Sequence, residues 1–206
     1  MHISKQCKVS DIVSFGTYPS SLIKDNELIS NLNNESFNQY GVGVFNGEKY
    51  LKFGDAYYLF EPIDWIVLEK KQGGVFRLIS KNIIDLCPRR IDNNDYKNFL
   101  NAVFPNRAFT EKERSSLQFN HERYSLAIFP TDAVAQKLAD SPMMLSDFVK
   151  RFTIDGPNSY HLFEEAGGFF SGVRGKIFDI QNKEVVWELN SQFPLGVRPV
   201  IEVKVE

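Results

Sequence analysis

The segment Ile63-Asp64-Trp65-Ile66-Val67-Leu68 constrains the fold most, because it puts apolar side chains on both faces of an extended chain. Strands that are apolar on both faces lie in the middle of a sheet. Residues 70–74 are polar and end in two glycines, and Val75–Ser80 is again apolar and β-branched. Together these segments predict an antiparallel hairpin at the centre of a sheet.

Further strands are predicted near both ends of the chain. Ile12-Val13-Ser14-Phe15 has the composition of a short strand, and Gly16-Thr17-Tyr18-Pro19 is expected to turn the chain after it. Near the other end, residues 177–180 and 185–189 flank a polar tripeptide and predict a second hairpin. Apolar and polar residues alternate over residues 197–205, which predicts a half-buried final strand.

The middle of the chain carries helical patterns. Apolar spacing over residues 96–103 predicts a helix that Pro105 ends. The capping-box spacing that begins at Thr110 predicts a second helix. Thr131 and Pro142 mark the starts of two more. Three to four short helices between strands at both ends favour an α+β fold with a mostly antiparallel sheet.

Residues 20–47 are polar and rich in Asn and Ser, and we expect them to form an insertion that leaves the core. One helical turn is predicted at residues 27–32 within it. Asn46-Gly47 favours a tight hairpin turn between Val42–Phe45 and residues 49–53. No repeat or long linker divides the 206 residues, so we expect a single domain over residues 1–206.

Charge and hydropathy argue against several classes of protein. The chain has 24 basic and 26 acidic residues, whereas nucleic-acid-binding modules usually show a basic excess. No apolar run approaches the ~20 residues of a membrane helix, and the first residues lack the apolar stretch of a secretory signal. These features predict a cytoplasmic protein. Cys7 and Cys87 either form one bridge or remain two buried thiols, the second being the default in a reducing compartment.

Motifs of known catalytic and metal sites are not found in the sequence. The three histidines are scattered, so they offer no zinc pair, and we expect no metal and no cofactor. His161 is followed by Glu164 and Glu165, and a carboxylate can orient an imidazole for acid–base chemistry. The same residues are equally compatible with a solvated turn.

Six short motifs occur in a characteristic order along most of the chain. They are Phe15-Gly16-Thr17-Tyr18-Pro19, Pro62-Ile63-Asp64-Trp65-Ile66-Val67-Leu68, Leu78-Ile79-Ser80-Lys81, Phe99-Leu100-Asn101, residues 108–113, and Gly196-Val197-Arg198-Pro199. The set resembles a bacterial domain family of unknown function. That family is similar to the C-type-lectin-like superfamily, which includes formylglycine-generating-type domains and receptor-binding proteins of some phages.

The resemblance implies a C-type-lectin-like fold with the N- and C-terminal strands paired side by side, two helices, and a long irregular region that presents a binding face. The known activities of the superfamily do not carry over. Cys7 and Cys87 have neither the region nor the spacing of the cysteines of formylglycine-generating enzymes. Gly156-Pro157-Asn158 lacks the carboxylate or carboxamide that opens a lectin calcium motif.

Gly167-Gly168-Phe169-Phe170-Ser171-Gly172 is the leading candidate for the binding face. Its two Phe rings are either the apolar tip of a mobile loop, which would mark a partner site, or a core strand with one ring on each side. We therefore predict a non-enzymatic binding module that engages a protein or small ligand through loops between residues 155 and 175. The predicted binding residues are Tyr160, Phe169, Phe170 and Arg174.

Two rival hypotheses belong to other classes. One is an enzyme that uses His161 with Glu164 or Glu165 as an acid–base site. The other is a structural or assembly subunit, for example of a phage-derived particle. An enzyme requires a concave pocket that joins His161 to a carboxylate, whereas an assembly subunit requires a large apolar patch and self-association.

Overall fold

The computed structural model describes residues 3–87, 102–118, 146–150, 168–171, 176–179, 184–186, 195–197 and 199–205. Within these ranges the strands are β1 (Ile12–Leu22), β2 (Val42–Phe45), β3 (Glu48–Phe53), β4 (Ala56–Lys70), β5 (Val75–Ser80), β6 (Asp85–Cys87), β7 (Gly168–Ser171), β8 (Lys176–Asp179), β9 (Glu184–Val186), β10 (Leu195–Val197) and β11 (Val200–Lys204). The α-helices are α1 (Asn26–Leu32), α2 (Phe104–Ala108), α3 (Glu111–Ser116) and α4 (Asp147–Lys150).

The strands form two sheets. The first has six strands in the order β11-β5-β4-β3-β2, with β1 also paired to β4, and all its pairs are antiparallel. The second has the order β6-β10-β7-β8-β9, and its β10–β7 pair is parallel. The mostly antiparallel strands and few short helices agree with the predicted α+β class. The prediction of a single domain over residues 1–206 stays a prediction.

Strand β4 is the centre of the first sheet and confirms the interpretation of its sequence. Tyr58 pairs with both β1 and β3, and Ile66 pairs with both β1 and β5. Strand β1 therefore runs along one edge of β4, while β3 and β5 follow each other along the opposite edge. The predicted β4–β5 hairpin is confirmed. Ile66 and Val67 point to opposite faces, and both are buried, as the apolar pattern requires.

The implied side-by-side pairing of the N- and C-terminal strands is wrong. Both strands belong to the first sheet, but β4 and β5 lie between them. Strand β1 occupies the edge of β4 over residues 58–66, and β11 pairs with the outer edge of β5. Leu117 forms an isolated bridge with Val203 of β11, and the Gln118 amide donates to the Glu202 carbonyl oxygen at 2.8 Å. Residues 117 and 118 thus cover the outer edge of β11.

The predicted turn at Gly16-Thr17-Tyr18-Pro19 is also wrong, because β1 continues through it. Ile12 pairs with Ile66 and Leu22 with Tyr58, so residues 12–22 (11 residues) lie opposite residues 58–66 (9 residues). The two extra residues of β1 form two β-bulges, one between Ser14 and Thr17 and one between Pro19 and Ser21. Gly16 has φ +71°, a left-handed conformation that glycine adopts without strain. The turn signal in the sequence therefore marks a bulge.

The first bulge of β1 lies at the centre of the hydrophobic core. The fully buried Trp65 indole N–H donates to the Phe15 carbonyl oxygen at 2.6 Å. The Phe109 ring stacks 6.3 Å from Trp65 and lies 5.0 Å from the Phe15 ring. A Cβ atom on Gly16 would lie 2.5 Å from Phe109 Cε1. Only glycine leaves room for that ring, so the bulge and the aromatic cluster depend on each other.

Residues 20–47 are part of the folded structure and extend the sheet. Asp25 caps α1 by accepting hydrogen bonds from two of its backbone amides, and Leu32 packs with the Tyr50 and Tyr57 rings in a second, smaller core. The expected helical turn is thus confirmed as the 7-residue helix α1. The β2–β3 hairpin is confirmed as well, with positive φ at both Asn46 and Gly47.

The helical predictions have mixed outcomes. Thr110 and Glu113 form the predicted capping box at the start of α3. The prediction that Pro105 ends a helix is wrong, because Pro105 lies in the first turn of α2, where its missing N–H needs no intrahelical partner. In α4, Phe148 and Val149 are buried, as their stripe predicts. The helices predicted to begin near Tyr96 and at Thr131 lie outside the described residues.

Cys7 is a free, half-buried thiol, so the alternative of a bridge to Cys87 is wrong. Its Sγ accepts a hydrogen bond from the Ser4 amide at 3.4 Å. In the described part of the chain, no helix is long and apolar enough to cross a membrane.

An ionic network joins the solvent-facing sides of β5 and β11. Glu202 accepts hydrogen bonds from Arg77 Nε at 2.9 Å and Nη2 at 2.6 Å, and from Lys71 Nζ at 2.5 Å. Burial raises the pKa of Glu202, but the hydrogen bonds from Lys71 and Arg77 outweigh it, so the net pKa is lowered. The network fixes β11 to a partner strand that is distant in the sequence.

Lys49 connects β3 to the end of α2. Its ammonium group donates to the Arg107 carbonyl oxygen and lies 4.4 Å from the centre of the Phe60 ring. Burial lowers the pKa of Lys49 to about 8, despite the opposing attraction of Glu113.

The first prediction concerns Gly16. We expect Gly16→Ala to lower the free energy of unfolding by about 3 kcal/mol, because it adds left-handed strain and a clash with the buried Phe109 ring. Gly73→Ala is the matched control, since Gly73 has φ +75° with open space around it, and should cost about 1 kcal/mol. Urea denaturation measures both values. Equal losses in the two variants would show that Phe109 does not depend on Gly16.

The second prediction concerns pH. The Lys49 pKa of the folded state, about 8, lies below the unfolded value of 10.5, so the unfolded chain binds more protons between these values. The free energy of unfolding of the wild type, relative to Lys49→Met, should therefore rise by about 1 kcal/mol from pH 7.5 to pH 10, after allowance for solvent screening. Urea denaturation at several pH values measures it, and a constant or falling difference would contradict the assignment.

Candidate functional site

A cleft of about 220 Å³ opens beside the first sheet where β1 passes its bulges. Three segments and the residue before α4 line it. The lining residues are Tyr18, Pro19, Ser20, Glu61, Pro62, Ile63, Asp64, Asn82, Ile83, Ile84 and Ser146.

The pairing of β1 with β4 explains why the surface opens here. Pro19 and Pro62 lie within paired strands but have no amide hydrogen to donate to the ladder. The second bulge adds Ser20 to β1 without a partner residue on β4. Bulges are frequent beside functional sites, where they redirect side chains. The two strands remain paired along this stretch, with Tyr18 opposite Glu61, and the cleft lies beside the bulged part of the ladder.

The floor of the cleft is apolar and well supported. Ile63, Ile83 and Ile84 are buried, as is the Tyr18 side chain. The Tyr18 hydroxyl donates to Asp85 Oδ2 at 2.9 Å, and Asp85 is also buried. Since Asp85 is the first residue of β6, this hydrogen bond connects the floor of the cleft to the second sheet.

Aromatic packing fixes the orientation of Tyr18. Its ring lies 5.6 Å from the Phe104 ring of α2 and 5.8 Å, edge to face, from the Phe148 ring of α4. The Asp147 carboxylate, one residue before Phe148, accepts a hydrogen bond from the Leu22 amide at 3.1 Å. Two helices and β1 thus hold one side of the cleft in place.

The rim of the cleft is polar and carries two carboxylates. Glu61 Oε1 accepts a hydrogen bond from the Ser21 hydroxyl at 2.5 Å. Asp64 Oδ2 lies 4.0 Å from Lys81 Nζ, which is longer than a hydrogen bond. Ser20, Asn82 and Ser146 supply further polar side chains among the described lining residues.

Of the four predicted binding residues, the structure describes only the backbone of Phe169 and Phe170. Phe169 and Phe170 belong to β7, which lies between β10 and β8, so the mobile-loop alternative is wrong for this segment and its backbone is a strand. The side chains of these two residues, and the whole of Tyr160 and Arg174, lie outside the described residues. The same holds for the rival acid–base set at residues 161, 164 and 165.

Sequence reasoning missed the cleft. Tyr18 and Pro19 were expected in a turn, and Ile63 and Asp64 in an uninterrupted central strand. The available signal was the pair Pro19 and Pro62, because two prolines in strand-like segments indicate edges or bulges. Pro19 lies opposite Phe60 and Pro62 opposite Thr17, and this shared stretch of the ladder cannot be derived from either segment alone.

A scan of protein-family models returns no match to the chain, and searches of curated proteins and of solved structures return none either. Among the described residues, no group of three or more His, Cys, Asp or Glu side chains could hold a metal ion. The chemistry available in the cleft is hydrogen bonding and charge at the rim, with apolar contact at the floor.

The third prediction tests the support of the floor. Tyr18→Phe removes the hydroxyl that donates to the buried Asp85, and we expect the free energy of unfolding to fall by about 1–3 kcal/mol. Tyr40→Phe is the control, because the hydroxyl of the half-buried Tyr40 makes no hydrogen bond within the described part of the chain, and it should change stability by less than about 0.5 kcal/mol. Chemical denaturation compares the two variants. If Tyr18→Phe is as stable as the wild type, the hydrogen bond to Asp85 does not support the floor.

Proposed function

We propose that this chain is a non-enzymatic binding module and that the cleft beside the paired strands β1 and β4 receives part of its ligand. The observation that carries the proposal is the double-bulged course of β1, beside which a cleft is lined by both apolar and polar residues. Ligand sites commonly combine an apolar lining with a few placed polar groups. The cleft volume is about 220 Å³. Sites for drug-sized ligands have volumes of about 300–1,000 Å³, so this cleft suits one side chain or a small molecule.

The binding face predicted for residues 155–175 remains a second part of this proposal. In a strand, neighbouring side chains point to opposite faces, so Phe169 and Phe170 would offer one ring to each face of the second sheet. Tyr160 and Arg174 keep their predicted role as ligand contacts. We further propose that the partner is a protein or a small molecule and not a nucleic acid. The proposed location is the cytoplasm.

The C-type-lectin-like relationship is also a proposal. In its support, residues from three of the six ordered motifs touch one another, since Gly16, Trp65 and Phe109 meet in the core. Strands from the two ends of the chain share one sheet, and the short helices α1 to α4 lie between them in sequence. The separation of β1 from β11 by two strands is a difference from the pairing that the resemblance implies.

The fourth prediction is that small ligands of mixed apolar and polar character bind in this cleft. Methyl NMR spectra of isoleucine-labelled protein, recorded against a library of small fragments, give the direct test. Bound fragments should shift the methyl signals of Ile63, Ile83 and Ile84, which line the cleft, and leave the signal of the exposed Ile12 unchanged.

A blocking variant supplies the control for this experiment. Asn82→Trp places a large ring in the cleft and should abolish the shifts, whereas Asn31→Trp makes the same replacement at an exposed position of α1 outside the cleft lining. Both variants must melt within a few degrees of the wild type. The proposal fails if no fragment shifts the three signals, or if Asn82→Trp leaves the shifts unchanged.

A further inference from the structure

We infer that the cleft selects ligands that carry an alkylammonium or guanidinium group, with Glu61 as the counter-ion. The inference rests on the proposed function and names the ligand class of the same site. It follows from the charge, the shape and the size of the cleft.

Glu61 is a half-buried carboxylate without a cationic partner in the described part of the chain. Its hydrogen bond comes from the neutral Ser21 hydroxyl at 2.5 Å, and no Lys or Arg of the described residues forms an ion pair with it. A neutral donor satisfies one oxygen, and no cation of the described residues compensates the negative charge. Partly desolvated charges attract opposite charges more strongly than exposed ones do. A ligand cation at the rim would pair with this charge.

Asp64 adds a second negative charge to the rim. Its separation of 4.0 Å from Lys81 Nζ is too long for a hydrogen bond, and Lys81 has a further interaction of its own. Both side chains of this pair are substantially exposed, so the attraction between them is weak. Glu61 and Asp64 are the charged residues among the described lining, which therefore favours cations over anions.

The apolar floor fits the stem of a cationic side chain. Lys and Arg side chains lay their methylene groups along apolar surface while the charged end stays at the polar edge. Ile63, Ile83 and Ile84 line the same cleft as Glu61 and Asp64 and supply apolar surface there. A Lys or Arg side chain of a peptide and a free alkylamine share this chemistry.

The fifth prediction compares two matched probes by the shifts of the cleft isoleucine methyls. N-acetyl-lysine-N-methylamide carries its only charge on the side chain, and N-acetyl-norleucine-N-methylamide has the same apolar stem without the charge. We expect the lysine probe to bind at least about tenfold more tightly, as a charge-assisted contact requires. A further pair, n-butylammonium and 1-butanol, distinguishes a free amine from a peptide side chain as the source.

Two variants locate the effect. Glu61→Gln keeps the size and the acceptor for Ser21 but removes the charge, and it should abolish the preference for the lysine probe. Glu48→Gln removes a carboxylate from an exposed position outside the cleft lining and should leave the preference unchanged. The thermal midpoints of both variants show whether the fold is intact. If the Glu61→Gln variant does not fold, binding of the lysine probe to the wild type is measured at increasing salt concentration instead. The affinity for the lysine probe should then fall, because salt screens the charge.

The outcomes separate this inference from the proposed function. Binding of both blocked probes with equal affinity, or a preference that survives in Glu61→Gln, overturns the selection of cations while the cleft remains a binding site. If neither probe and no fragment shifts the cleft methyls, both proposals fail. Binding of the lysine probe alone indicates a peptide side chain, and binding of n-butylammonium as well indicates that the amine is sufficient.

Discussion

The hydrogen bond from the Trp65 indole to the Phe15 carbonyl is the contact on which the first sheet depends. A buried carbonyl without a partner is costly, and at a bulge the ladder does not supply one. The Trp65 indole N–H, on the central strand, provides this hydrogen-bond partner. Gly16 leaves the space in which the Phe109 ring covers Phe15 and Trp65. Three segments distant in sequence are thereby held at one point, and the register of β1 on β4 follows from it.

That register determines where the surface opens. With the first bulge fixed at Gly16, Thr17 pairs with Pro62 and Pro19 with Phe60, so the two prolines occupy the same stretch of the ladder. Neither proline has an amide hydrogen to donate to the ladder, and the second bulge follows directly. The cleft is thus a consequence of how the core is built, and its carboxylate rim is supplied by the residues on either side of Pro62 and Ile63.

Local patterns predicted the local structure well. The β4–β5 and β2–β3 hairpins, the capping box of α3 and the α+β class all follow from periodicity and turn chemistry acting over a few residues. The errors arise where tertiary contacts decide the outcome. Gly16 has the composition of a turn, yet the ring of Phe109, distant in the sequence, makes it a bulge. The cleft combines residues from segments 18–20, 61–64, 82–84 and 146, and no single segment carries a sign of it.

The position of β11 has a consequence for how the chain folds. The contacts between Arg77 and Glu202 join residues that are 125 positions apart, whereas β1 to β5 are contiguous in sequence. Closing so long a loop is slow, so the β1–β5 part of the sheet can form well before β11 arrives. During that interval β5 presents an unpaired apolar edge, the kind of surface through which partly folded chains associate. This exposure ends when β11 pairs with β5 and residues 117 and 118 cover the outer edge of β11. Strand β11 thereby protects the sheet from self-association.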